Sequence, residues 1–180
     1  MNPSLVGSEM CIRDRITHPN EILQTKITEE WNFDNPQYDA SELRDAMLNV
    51  MTSNRGIGLA ANQVNIKVRC FVFVNNQANN NNEIKVLALN PSYEHIDDAP
   101  AVDMFESCLS YPGVVLSVNR PARIKAKWTN HTGKEYEEEL IGYQARCFMH
   151  EHDHLEGITM DQHVAPVKWK EAVEKAQEKK

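Results

Sequence analysis

Between Met149 and Gly157 the chain reads His150-Glu151-His152-Asp153-His154-Leu155-Glu156-Gly157, a His-Glu-x-x-His arrangement with its outer histidines four residues apart. On a helix that spacing puts both imidazoles on one face, one turn apart, where they can share a single metal ion. Glu151 is rotated from His150 by about 100°. It therefore lies beside the ion rather than in line with the ligands, a position that suits a general base acting on a water. His152 points away and is a bystander, while Asp153 adds a second carboxylate. Two histidines so spaced can also be plain surface or core residues, and it is the carboxylate in the catalytic place that favours a metal. Ala145, Phe148 and Met149 share a helical phase, and Gly157 stands where such a helix would end.

A catalytic site of this type needs three protein ligands and one open position. In the metzincin pattern the third ligand would fall at Met160, which cannot serve, and His163 lies three residues too late. Glu171 and Glu174 are the downstream carboxylates, in a lysine-rich tail; using one of them would make a gluzincin-like endopeptidase. Upstream, Cys108 sits in Ser107-Cys108-Leu109-Ser110, just before Pro112-Gly113. A thiolate there completes a Cys-His-His set with an open fourth position. Cys70, in an apolar run, and Cys147, in the histidine helix, read instead as small buried hydrophobes.

The elements that must position these groups can be traced along the chain. Residues 39–53 form a helix with Ser41 as its N-cap and Leu43, Ala46, Met47 and Val50 on one face. Val68 to Val74 is a strand, Asn75 to Asn82 an Asn-rich loop, and Ile84 to Tyr93 the returning strand, with Pro91 limiting its pairing. Residues 122–129 and 134–140 flank Asn130-His131-Thr132-Gly133 as a hairpin. Lys168 to Lys180 forms a charged terminal helix. The fold class is α+β: a single domain with antiparallel or mixed sheets around a central metal-binding helix. Residues 1–14 lack apolar periodicity and read as a non-native or disordered leader, leaving 15–180 as the catalytic domain.

The 180 residues suit one domain with a good core, and the net charge of −7, without a basic cluster, argues against a nucleic-acid partner. No apolar run approaches the ~18 residues of a membrane helix. The four cysteines form no Cys-x-x-Cys pair and read as reduced thiols in a cytoplasmic protein, taken as a monomer.

Three separated stretches together resemble the signature motifs of the peptide deformylase family: Gly56-Ile57-Gly58-Leu59-Ala60-Ala61-Asn62-Gln63, Glu106-Ser107-Cys108-Leu109-Ser110, and His150 to Gly157. The likeness spans roughly residues 16–165, with Ser107 where the family usually has Gly and Met149 where it usually has Gln. It implies that Cys108, His150 and His154 hold one divalent ion, Fe²⁺ natively, with Zn²⁺, Ni²⁺ or Co²⁺ able to replace it. Such an ion lowers the pKa of its water towards ~7, making hydroxide available as nucleophile. Glu151 would take the proton and deliver it to the departing amine. The Gln63 side-chain amide and the Leu109 backbone N–H would be the donors to the formyl oxygen. The substrate would be a formylated nascent peptide at the ribosome exit, pairing as a strand along Ile57 and Gly58, with Cys147 walling the methionine pocket and Arg146 and Tyr111 at its rim. A silent, deformylase-like binding module is the alternative outside the enzyme class.

Overall fold

The computed structural model describes residues 12, 14–76 and 83–179. Most of the predicted leader and the tip of the Asn-rich loop lie outside these residues. Two residues of that leader are in contact with the domain: Ile12 packs on the main core, and Asp14 accepts a hydrogen bond from Asn54 Nδ2 (3.2 Å).

The first helix, α1 (Ala40–Ser53), is capped by Asp39 rather than Ser41: the Asp39 carboxylate accepts the Glu42 N–H at 2.9 Å. Ser41 falls inside the first turn, where its hydroxyl cannot take the cap role. α1 buries Leu43, Met47, Val50 and Met51. Short strand β1 (Gly58–Ala60) is followed by β2 (Cys70–Asn76) and β3 (Glu83–His95). Pro91 does not end β3; a register shift between Leu89 and Ser92, with Asn90 at φ 48°, lets the strand pass its missing N–H and continue to His95.

Strands β4 (Ala101–Ser107) and β5 (Val115–Pro121) form a two-stranded sheet that the motif-centred reading of this region did not identify. The hairpin β6 (Arg123–Thr129) and β7 (Glu135–Ile141) completes a five-stranded sheet in the order β1-β2-β3-β6-β7, every neighbouring pair antiparallel. Helix α2 (Tyr143–Leu155) packs on that sheet, and α3 (Pro166–Glu178) begins two residues earlier than the tail's charge pattern suggested, with Pro166 starting it.

The main core is where α2 meets the sheet. Phe148 makes edge contacts with Phe71 (ring centroids 4.9 Å apart) and Phe73 (5.5 Å), and Trp128 closes the group at 5.9 Å. Burying each such ring is worth roughly 1.5–3 kcal/mol, so Phe148 anchors the middle of α2 two residues before His150. A second cluster of Tyr111, Val114, Leu116, Val118, Met160 and Ala176 seats α3 against β5, with Trp169 edge-on to Tyr111 at 5.5 Å. Among the described residues no helix is long and apolar enough to cross a membrane.

Candidate active site

α2 ends through Gly157, whose φ of +71° lets the Ile158 N–H return to the Asp153 carbonyl (2.9 Å). The helix therefore stays regular through His150 and His154, which share one buried face with ring centroids 5.1 Å apart. Cys108 is the first residue after β4, and its carbonyl accepts the Tyr111 N–H in a tight turn (3.0 Å). That turn delivers Sγ to 3.3 Å from His154 Nε2. Ligand atoms of Cys108, His150 and His154 all lie within 4.8 Å of one another. Among the described residues this is the one such group. Glu171 and Glu174 are exposed on α3 and take no part in it, and His163 instead bonds Asp153 Oδ2 at 2.8 Å.

Glu106, quoted in the sequence only as part of a motif, is the hub behind the histidines. Its Oε2 lies 3.0 Å from His150 Nδ1, and its carboxylate takes Arg120 Nε at 2.6 Å and Arg146 Nη1 at 2.7 Å. All four residues are buried. Burial opposes ionisation of Glu106, but the hydrogen bonds from His150 and Arg120 outweigh it and hold the carboxyl far below its usual range. An imidazole that gives its Nδ1–H to Glu106 presents its Nε2 lone pair forward, as a metal ligand requires. For the Cys108 thiol burial is again the largest opposing influence, yet His154 and His150 together keep it well below a normal thiol. A thiolate beside two imidazoles, one with its tautomer fixed from behind, fits a divalent transition ion.

Glu151 is buried on the same helix, and among the described residues its Oε2 has no hydrogen-bond partner. Burial pushes its carboxyl up to about 7, partly offset by the two histidines. This is the range in which a carboxylate can both take and return a proton near neutral pH. Gly58 faces it directly: a Cβ there would sit 2.8 Å from Glu151 Cδ and Cγ.

These groups open into a cavity of about 250 Å³ lined by Ile57, Gly58, Gln63, Cys108, Leu109, Cys147, His150 and Glu151. Gln63 is buried with its amide fixed: Oε1 accepts the Ala60 N–H (2.8 Å), and Nε2 lies 3.0 Å from Ser110 Oγ and 3.6 Å from Cys108 Sγ. Cys147 forms a wall, its thiol directed to the Ile57 carbonyl (3.4 Å). The rim differs from expectation. Tyr111 lies away from the cavity, buried between His18 and Trp169, because its ring completes the α3 cluster. Arg146 does line the cavity but is buried, its guanidinium spent on Glu106 and the carbonyls of Val118 and Val102. The exposed rim is formed by Phe105, Tyr143 and Ile57, which alternation along β4 and the helix start could have suggested. His152 packs against Tyr93, 5.1 Å between centroids, on the opposite side of α2.

An α+β domain with a buried Cys-His-His cluster, a raised carboxyl and an open cavity has the outline of a metal-dependent hydrolase. Comparison with known proteins narrows this. The family model described as "Polypeptide deformylase" matches residues 12–170. A peptide deformylase of Chromohalobacter salexigens is 35% identical over 161 residues, 89% of this chain and 91% of the relative. One from Thermotoga maritima is 40% identical over 125 residues, 69% of this chain and 71% of the relative. The crystal structure of a probable peptide deformylase from Synechococcus phage S-SSM7 superposes with a TM-score of 0.74 at 35% identity, covering 83% of this chain and 98% of that one. The chain belongs to the polypeptide deformylase family. It is a hydrolase that removes the formyl group from the N-terminal methionine of nascent polypeptides.

Proposed function

We propose that Cys108, His150 and His154 hold the divalent ion and that Glu151 carries the proton. The observation behind this is the 4.8 Å cluster of three ligand atoms beside a buried carboxyl raised to about 7. When bound, the ion supplies Lewis-acid activation of water and of the formyl oxygen. In this reading the formyl group enters the cavity between Glu151 and the donors of Gln63 and Leu109, all of which line it, and those donors act on the oxygen as negative charge develops there. Glu151 accepts the water's proton and returns it to the methionine nitrogen as the C–N bond breaks, yielding formate and a free amine. Glu106 keeps the His150 ring in place throughout.

β1 is an edge strand beside the cavity, so an extended substrate can add along Ile57 and Gly58, with methionine entering the space walled by Cys147. Fe²⁺ suits the mixed thiolate and imidazole donors, with Zn²⁺, Ni²⁺ and Co²⁺ able to occupy the same set. In this reading the enzyme works in the cytoplasm, near the ribosome exit, as a monomer. Residues 15–180 form the catalytic domain in this reading, and 1–14 are dispensable. The test is formate release from formyl-Met-Ala-Ser set beside cleavage of an unformylated peptide. Formate release alone supports the reading; cleavage of internal peptide bonds without it overturns the reading in favour of an endopeptidase.

A further inference from the structure

Ser110 does not line the cavity and is fully buried, yet its hydroxyl stands between the Gln63 amide and the backbone of the N-terminal arm. Ser110 Oγ lies 2.7 Å from the Ile16 carbonyl and 3.0 Å from Gln63 Nε2. The other end of the same amide, Oε1, is 2.8 Å from the Ala60 N–H. The two outer groups of this chain have fixed polarity: a carbonyl oxygen can only accept, and a backbone N–H can only donate. The Ile16 carbonyl therefore takes the one proton of Ser110. Oγ is left as an acceptor, so the group facing it must be the Gln63 nitrogen, and the oxygen must face Ala60. Only one of the two amide orientations satisfies both ends.

We infer that Ser110 is a positioning residue that sets the polarity of the Gln63 amide, so that one N–H of Nε2 is committed to Ser110 and the other is presented to the reacting centre beside Cys108 Sγ, 3.6 Å away. The arm is tied in at two further points, with the Ile16 N–H on the Gln63 carbonyl (2.6 Å) and the His18 N–H on the Ser110 carbonyl (2.9 Å). The backbone that carries Gln63 and the backbone that carries Ser110 are thereby braced against one strand of chain. Without the hydroxyl, the amide keeps its Ala60 contact and the longer approach to Cys108 Sγ, and its donor is less firmly held toward the cavity. In a buried site this forfeits a donor that water cannot replace.

The inference rests on Gln63 donating to the formyl oxygen, and a double-mutant cycle separates the two ideas. Nickel-loaded parent, Ser110→Ala, Gln63→Ala and the double variant are compared for kcat and KM with formyl-Met-Ala-Ser. Ser110→Ala is expected to lower kcat roughly 10–100-fold, the loss that follows misplacement of a group at the reacting centre, with KM changed less than about twofold. Gln63→Ala should lose ~10²–10³, and adding Ser110→Ala to it should slow it no further, because the hydroxyl acts only through the amide. A packing role would instead multiply the two losses, and that outcome overturns the inference. A slow Gln63→Ala beside a parent-like Ser110→Ala overturns it while leaving Gln63 as donor. A Gln63→Ala enzyme as fast as the parent removes the donor reading and the inference with it. A second readout needs no turnover: in zinc-loaded protein, the two Gln63 side-chain amide protons should give separate NMR signals, one protected from exchange. Ser110→Ala should abolish that protection, and its survival would contradict the assignment.

Discussion

Gly58 and Glu151 occupy adjoining space so closely that a methyl group on Gly58 would lie 2.8 Å from the Glu151 Cδ. The glycine of the first motif thus makes room for the carboxylate of the third, across the interface between β1 and α2. Gly58→Ala should displace Glu151 and lower kcat by on the order of 10²-fold, with metal content unchanged. The overpacking should also cost about 1–3 kcal/mol, read by denaturant melts. Parent-like kcat in this variant would show that Glu151 does not depend on the space.

Cys108→Ala should abolish stoichiometric metal binding, measured by elemental analysis of the purified protein. Cys70 lies in the core of β2, its thiol pushed up to about 12 by burial, and Cys70→Ala should cost only packing, roughly 1–3 kcal/mol. If the Fe²⁺ form is the native one, its activity should decay in air as ion and thiolate oxidise, while the nickel form persists. Full metal content in the Cys108 variant would remove it from the ligand set.

Glu106→Gln should be among the most damaging substitutions outside the cavity's reacting groups. It leaves the buried guanidinium of Arg146 without its charge partner and Arg120 with Asp153 alone, at a cost of about 3–5 kcal/mol. It also loosens the His150 ring, with metal affinity falling roughly 10–100-fold. The Glu106 carboxyl is depressed in the folded state, so its stabilisation is present above the unfolded value of 4.5 and is lost as pH falls further. The gap in stability between parent and Glu106→Gln should therefore be wide at neutral pH and narrow in acid. A gap independent of pH would contradict this account of the ion-pair hub.

For Glu151 the sign is reversed. Its folded value in the metal-free protein is about 7 against 4.5 unfolded, so its contribution is intact below 4.5 and is lost as pH rises through 7. Metal-free Glu151→Gln should match the parent near pH 4.5 and exceed it by roughly 3 kcal/mol above pH 8. Chemical denaturation across that range checks it, and equal stabilities throughout would mean that the buried carboxyl is not destabilised by ionising.

Deletion of residues 2–14 should leave turnover and Tm nearly unchanged, since the Asp14–Asn54 hydrogen bond is exposed and such contacts are worth ~1 kcal/mol or less. A large loss in either would show that Ile12, on the core, contributes more than a surface contact.

The histidine helix, its stop at Gly157 and the hairpin of β6 and β7 were legible because each follows from local chemistry: helical phase, a left-handed glycine and a turn between alternating strands. The sheet of β4 and β5 was not, because its inward face carries Glu106 and Arg120 where alternation leads one to expect apolar residues. Those charges are tolerated through partners 14, 33 and 40 residues away, and no local pattern reveals that pairing. Tyr111 illustrates the same limit from the other side. It was expected at the pocket rim, but α3, arriving from the end of the chain, claims its ring. The link from Ile16 through Ser110 to Gln63 joins three distant segments and is visible only in three dimensions.

The most direct test of the central claim is the rate of formate release by Glu151→Gln, loaded with nickel and compared with the parent at equal metal content. The substitution is nearly isosteric and leaves Cys108, His150 and His154 untouched, so fold and metal should be retained while the rate falls by ~10²–10⁴. A metal-replete Glu151→Gln enzyme that releases formate as fast as the parent would contradict the assignment of Glu151 as the proton carrier.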